Sequence, residues 1–242
     1  MDPVSSYDLI TPGTLTLGCG DLDAMPLMGL IAADGTRPGY EPDAARLVAA
    51  QLGLSLTWVP LEWSDFYPAL HERRVDGIWC GQGITDHRRT LADFTRPYAV
   101  FNESLVTRIE STISNPLECA GKRIGAIALS TNMALTETFP GVIPVPFDGA
   151  TDDVYADMIA ATRTGEIDGF VDDDVVMIVL DEDPELRLAF TVETRNQWGI
   201  AVRHGEDELR AALDAALATV IDDGSLEAVW ARHMPDLPWP LG

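Results

Sequence analysis

Short apolar runs with strand character alternate with helix-periodic segments along the whole chain, and this alternation constrains the fold more than any other feature. Residues 14–18, 54–58, 75–80, 98–107, 122–127, 142–147, 167–171, 186–192 and 198–203 read as strands. Between them, apolar residues recur at helical spacing, as in Ala44, Leu47, Val48 and Leu52, or Leu209, Leu213, Leu217 and Val220. Helices are expected over 42–51, from Ser64 or Asp65 to about Arg74, from Ser130 to about Thr138, over 152–163, from Asp172 to Leu180, and twice near the C-terminus. A strand followed by a helix, many times over, predicts an α/β fold with mostly parallel sheets. The run VIPVPF carries two prolines, which cannot donate to a ladder, so it is expected at a sheet edge.

The pattern repeats itself. HERRVDGIWC at 71–80 is echoed by RTGEIDGFVD at 163–172: a helix end, an apolar residue, Asp-Gly, then a strand. The echo predicts two similar lobes, each offering a ligand loop at the carboxyl end of a strand. The first copy opens the stretch richest in chemistry, VDGIWCGQGITDHRRTLADFTR at 75–96. Its strand ends in Gly81-Gln82-Gly83, and Thr85 or Asp86 is placed to cap a helix whose first turn carries Arg88 and Arg89. Glycines allow close backbone approach, a helix start presents N–H donors, and a guanidinium fork matches a carboxylate. The combination predicts a site for a small anionic group, most simply a carboxylate; strand–glycine–helix turns also serve phosphates.

Charge narrows the partners. Acids number 39 against 16 Lys plus Arg, a formal net charge of −23, which repels DNA, RNA and anionic lipid. Cys19, Cys80 and Cys119 lie far apart with no paired spacing, so neither a metal nor a redox motif is indicated. His71, His87, His204 and His233 are isolated and read as surface or helix-end residues. No run approaches the roughly 20 apolar residues that span a membrane. MDPVSSYDLI lacks a basic region followed by an apolar core, so either the protein is cytoplasmic or this is a mature domain, its secretion signal removed, with an added start Met.

Six blocks, in this order, carry a resemblance: GYEPDAARLVAAQLG at 39–53, WSDFYPALHERRVDGI at 63–78, ITDHRRTLADFTRPY at 84–98, GKRIGAI at 121–127, GEIDGFVDDD at 165–174 and WGIAVRHGEDEL at 198–209. Together with ATVIDDGSLEAVWARHMP they resemble the bacterial extracellular solute-binding proteins of family 3, the polar amino-acid-binding components of ATP-driven (ABC) importers. The resemblance implies a two-lobed, type II periplasmic-binding-protein-like fold, each lobe a mostly parallel sheet flanked by helices, joined by two hinge strands. Lobe one would comprise residues 1–105 plus 196–242 and lobe two residues 106–195. An amino acid or related small carboxylate would lie in the cleft between lobes that close over it. A periplasmic or extracellular monomer, without cofactor and with a membrane permease as partner, is implied too.

The resemblance also assigns roles. Arg88 matches the arginine that holds the ligand α-carboxylate, with Gly81, Gln82 and Gly83 on the carboxylate loop. Asp173 matches the acid that receives the α-ammonium; Asp172 and Asp174 then cap a helix or face water. Thr131 matches a hydroxyl residue at a helix start in lobe two, with Ser130 beside it, and an N-cap role suits Thr131 equally. Trp63 matches an aromatic that packs on the ligand, or else is a core tryptophan; Glu62, Trp79 and Trp198 are further candidates for lining the pocket. Three positions depart from the family. Gly83 stands where Ser or Thr is usual, losing a hydroxyl bond of about 1 kcal/mol. Ala24 replaces an aromatic, leaving one wall of the pocket open, and Leu129 replaces a glycine. Two other functions share this fold. One is a prephenate or arogenate dehydratase using a carboxylate from 172–174; the other is a ligand-binding sensor domain.

Overall fold

The computed structural model describes residues 8–149, 151, 153–177, 180 and 183–241. The N-terminal reading over residues 1–7, and residues 178–179 of the helix expected from Asp172, lie outside these. The chain forms two compact units, residues 1–100 with 196–242, and residues 101–195.

The first unit begins with strand β1 (Thr14–Cys19), helix α1 (Tyr40–Gln51), β2 (Ser55–Pro60), α2 (Phe66–His71) and β3 (Gly77–Ile78). β1 pairs in parallel with both β2 and β3. The end of β8 (Leu186–Val202) adds an antiparallel neighbour to β3. Helix α1 turns Tyr40, Ala44, Ala45, Val48 and Ala49 inward, the i, i+4 stripe of an amphipathic helix. The C-terminal helices α6 (Asp207–Asp222) and α7 (Ser225–His233) cover it, and the Tyr40 and Trp230 rings meet edge-on at 5.3 Å.

In the second unit the strand order is β4 (Asp93–Arg108), β7 (Gly169–Asp173), β5 (Arg123–Ile127) and β6 (Ile143–Phe147). β5 pairs in parallel with β6 and β7, while β4 runs antiparallel to β7. The proline-bearing β6 takes the edge, where its missing donors face no partner strand. Helices α3 (Thr131–Thr136), α4 (Val154–Thr164) and the single turn α5 (Asp174–Met177) complete the unit. Its core gathers Leu105, Ile113, Cys119, Ile124, Phe139 and Val171.

The strands expected separately at 186–192 and 198–203 form one continuous β8, and β4 is equally long. Both pass from one unit into the other. Polar residues 193–197 do not break β8; where the backbone turns to positive φ at Arg195, its N–H is held by Asn102 Oδ1 at 3.2 Å.

The internal echo has a structural cause. In each unit the Asp of Asp-Gly exchanges two hydrogen bonds with the first strand. Asp76 N–H donates to the Thr16 carbonyl and its carboxylate accepts the Thr16 N–H, both at 2.8 Å. Asp168 N–H donates to the Arg123 carbonyl and its carboxylate accepts the Arg123 N–H, again at 2.8 Å. The glycine that follows lies against the antiparallel neighbour. A Cβ on Gly77 would stand 3.2 Å from the Ala201 carbonyl, and one on Gly169 would collide with the Val106 carbonyl.

Candidate functional site

In the first unit the chain leaves β3 through Gly81-Gln82-Gly83, and the structure gathers Trp63, Tyr67, Arg88 and Trp198 around this loop. Gly81 has φ +57, and a Cβ there would press on the Trp198 ring at 3.2 Å. Trp198 is buried beneath it, and Gly83 forms an antiparallel bridge with Trp198. The Gly81 N–H donates to Glu41 Oε1 at 2.8 Å. Gln82 is fully buried: its Oε1 accepts the Tyr67 hydroxyl at 3.0 Å and its Nε2 donates to the Cys80 carbonyl at 2.9 Å. The side chain of Gln82 thus ties the loop to α2 and to the end of the preceding strand.

Arg88 is 7 % exposed although it carries a full charge. Its Nη1 donates to the Gly83 carbonyl at 3.2 Å, and its guanidinium carbon lies 5.5 Å from the Trp63 ring centroid, a cation–π contact. Trp63 is half-buried, packs on the core of the first unit and touches the Phe66 ring at 5.2 Å. The structure thus shows the core role for part of the ring, and adds a contact with Arg88 that was not expected. Arg89 is exposed.

The helix expected to begin near Arg88 is absent. Arg88–Thr90 is a single 3-10 turn, closed by the Arg88 N–H to Thr85 Oγ1 at 3.1 Å and the Arg89 N–H to the Thr85 carbonyl at 2.9 Å. The chain enters β4 at Asp93, leaving no room for a longer helix, so no helix dipole adds to the Arg88 charge at this loop. Trp79 is fully buried against Tyr98, with ring centroids 4.9 Å apart, and is a core residue rather than a lining one. Glu62 is exposed. Ala24 is buried in the same core and bridged to Met28.

In the second unit Ser130 caps α3. Its Oγ accepts the Met133 N–H at 3.0 Å and donates to the Ile127 carbonyl at 2.6 Å. The N-cap role thus belongs to Ser130, and Thr131 is the half-buried first helical residue. Leu129 before them has φ 62 and is 84 % exposed, so the backbone keeps the left-handed turn that a glycine would favour.

The three acids at the end of β7 separate by environment. Asp172 is buried; its Oδ1 accepts from Asn132 Nδ2 at 3.0 Å and from the Asp173 N–H at 2.8 Å. Burial pushes its carboxyl up to about 7, with Glu103 adding to the rise and the two hydrogen bonds opposing it. Asp174 accepts from Asn102 Nδ2 at 3.1 Å, and burial raises its carboxyl too. Asp173 is half-buried and ends the strand opposite Glu103. Tyr67, Asn132 and Glu41 escaped the sequence reading. Tyr67 had a usable signal, since it stands four residues after Trp63 in WSDFY, the spacing that brings side chains to one face.

The chain was compared with known proteins. It matches the family model of the bacterial extracellular solute-binding proteins, family 3, over residues 17–236. The L-cystine-binding protein TcyJ of Escherichia coli (strain K12) is 30% identical over 225 residues, which cover 90% of this chain and 81% of that protein. The L-arginine-binding protein of Pseudomonas aeruginosa is 26% identical over 222 residues, 87% of this chain and 84% of that protein. Among solved structures, an ancestral arginine-binding protein bound to arginine superposes with a TM-score of 0.82 at 23% identity, covering 92% of this chain and 98% of that one. A periplasmic His/Glu/Gln/Arg/opine family-binding protein from Silicibacter pomeroyi in complex with lysine gives 0.79 at 24% identity, covering 92% and 97%. The fold is the two-lobed type II periplasmic-binding fold, and with a family match over nearly its whole length the chain belongs to the bacterial extracellular solute-binding proteins of family 3.

Proposed function

We propose that this protein captures an amino acid, or a closely related small carboxylate, for an ABC importer, delivering it to a membrane permease from the periplasmic or extracellular side. The observation that carries the reading is Arg88: a charged guanidinium kept in a buried position by the Gly83 carbonyl and the Trp63 ring, beside a glycine loop. Such an arrangement pre-orients a fork that matches a carboxylate. The ligands named for these relatives, cystine and arginine, and for these solved structures, arginine and lysine, are all α-amino acids. In this reading Arg88 takes the α-carboxylate and Asp173 the α-ammonium, while Thr131 adds a hydroxyl contact and Trp63 packs on the ligand. Among the described residues no helix is long and apolar enough to cross a membrane; in this reading the protein works as a monomer.

The test is a thermal-shift and calorimetric screen against amino acids and small organic acids. A ligand at about 100 times its Kd stabilises by roughly 2.7 kcal/mol, a clear shift. Arg88→Ala is expected to weaken the best ligand by about thirtyfold or more, the loss of ~2 kcal/mol or more that follows removal of one partner of a buried charge pair. Asp173→Asn should weaken amino ligands far more than the same ligands lacking the amine. Unchanged affinity in a folded Arg88→Ala protein would sink the carboxylate role.

A dehydratase is the second reading, and Asp172, with its carboxyl near neutrality, is the observation on its side. Turnover of prephenate or arogenate by the wild type, abolished in Asp172→Asn, would replace the transport reading.

A further inference from the structure

The cysteines that look unrelated in sequence are not unrelated in space. Cys19 ends β1 and Cys80 follows β3, the next strand of the sheet, so pairing of the two strands brings the thiols together. Glu41, the second residue of α1, joins them: one donor atom from each of Cys19, Cys80 and Glu41 lies within 4.8 Å of the others, and all three residues are buried. Met28 completes the group, its Sδ 3.3 Å from Cys19 Sγ and 3.8 Å from Cys80 Sγ. Four separate segments of the first unit thus converge on one point with two thiols, a thioether and a carboxylate.

Buried cysteines are often only small core residues. Three observations set this group apart. First, Cys80 Sγ accepts the Gly20 N–H at 3.2 Å, which holds the sulfur in place. Second, Glu41 uses one oxygen twice, for the Gly81 N–H at 2.8 Å and the Tyr98 hydroxyl at 2.5 Å, while its buried Oε2 meets no donor. An unmatched buried carboxylate oxygen is costly unless something is meant to meet it. Third, Arg37 is buried at 1 % exposure and is held by the carbonyls of Gly29 and Gly20, each at 2.5 Å, and of Leu22 at 3.3 Å. Its charge acts on Cys19 and Glu41, opposing the rise that burial imposes on both, which takes the Glu41 carboxyl to about 7.

We propose that Cys19, Cys80 and the Glu41 carboxylate, with the Met28 thioether beside them, bind a thiophilic divalent cation of the Zn(II) class. The geometry suits it. A metal with bonds to sulfur of about 2.3 Å in a tetrahedral site holds its ligand atoms roughly 3–4 Å apart, and one ligand atom from each of Cys19, Cys80 and Glu41 lies within 4.8 Å of the others. The charge suits it as well. With the cation bound, Arg37 and the Glu41 carboxylate cancel, and two thiolates balance one divalent charge. Replacing two thiol protons by one divalent cation leaves the buried cluster neutral, whereas a monovalent ion in the same exchange would leave it negative. Two S–H bonds break, two metal–sulfur bonds form, both protons pass to solvent, and nothing is oxidised or reduced. Through Glu41 the site adjoins the Gly81 loop, so occupancy would stiffen that loop.

The test uses the full chain with Cys119→Ser, which leaves Cys19 and Cys80 as its only thiols. The reduced, chelator-treated protein is titrated anaerobically with Co(II), then with Zn(II). Expected are sulfur-to-cobalt charge-transfer absorption saturating at one equivalent, its loss on adding one equivalent of Zn(II), and release of two protons per ion. Cys80→Ser should bind Zn(II) more than about a hundredfold more weakly, since even outer-shell changes cost 10–100-fold. If Cys80→Ser does not fold, the Cys119→Ser titration alone still decides. Absence of the charge-transfer band in that protein, equal Zn(II) affinity in a folded Cys80→Ser, or tight binding of Cu(I) with none of Zn(II) would each overturn the proposal.

Discussion

Leu129 shows most plainly how a single residue can conflict with the backbone it occupies. It sits at φ 62 with its side chain 84 % exposed, so it bears left-handed strain and gains little burial in return. Leu129→Gly is expected to stabilise the protein by about 1 kcal/mol, raising the urea midpoint with an unchanged slope. A fall in the midpoint would show that the leucine makes a contact worth more than the strain. Residue identity was only partly legible in sequence. Arg88 could be named because its charge type and its glycine loop are local signals. What could not be read was the environment that gives each charge its role. Asp172, Asp173 and Asp174 are adjacent and chemically identical, yet Asn132 and Asn102 engage the outer two, and both asparagines come from remote segments. Glu41 and the two cysteines escaped for the same reason: the strand pairing that unites them is not a spacing.

At the scale of elements, the Asp-Gly repeat is the most instructive feature. It was visible as a short echo, and its cause is now a shared device. The aspartate clamps the start of the neighbouring parallel strand, and the glycine admits the antiparallel strand on the other side. The two glycines differ in tightness, and this yields a prediction. Gly169→Ala forces a methyl group into the Val106 carbonyl and should cost about 3 kcal/mol, while Gly77→Ala meets a carbonyl at 3.2 Å and should cost about 1 kcal/mol. Urea unfolding of the two variants checks the order; equal losses would refute the packing argument. Elements with strong periodicity, such as α1, α6 and α7, were legible almost to their ends. The turn at Arg88–Thr90 was not, because Thr85 closes a 3-10 turn with the same hydroxyl that would have capped a helix. The long β8 was split in the sequence reading because residues 193–197 are polar, and polarity there reflects exposure rather than a turn.

For the whole molecule, the dominant physical quantity is its formal net charge of −23. Local ion pairs such as Arg74–Asp65 and Arg96–Asp214 are largely exposed and individually weak. Self-repulsion should therefore outweigh them. Raising NaCl from about 10 mM to about 500 mM, which shortens the screening length from roughly 30 Å to under 5 Å, is expected to raise the Tm. A fall would mean that the paired charges matter more than the excess. The α/β class and the strand–helix order were legible along the chain because each helix and strand carries its own periodicity. The crossing points at Val100/Phe101 and Arg195/Asn196 were not marked by composition, since both fall inside continuous strands. Those crossings also set an order of events during synthesis. The second unit is one uninterrupted stretch, residues 101–195, and every strand of its sheet is available once that stretch has emerged. The first unit waits. Its β3 lacks its antiparallel neighbour until Ala201 and Val202 arrive, and α1 lacks its cover until α6 and α7 are made. The first unit is thus the later of the two to be completed, since its sheet and the cover of α1 wait for residues 201–233.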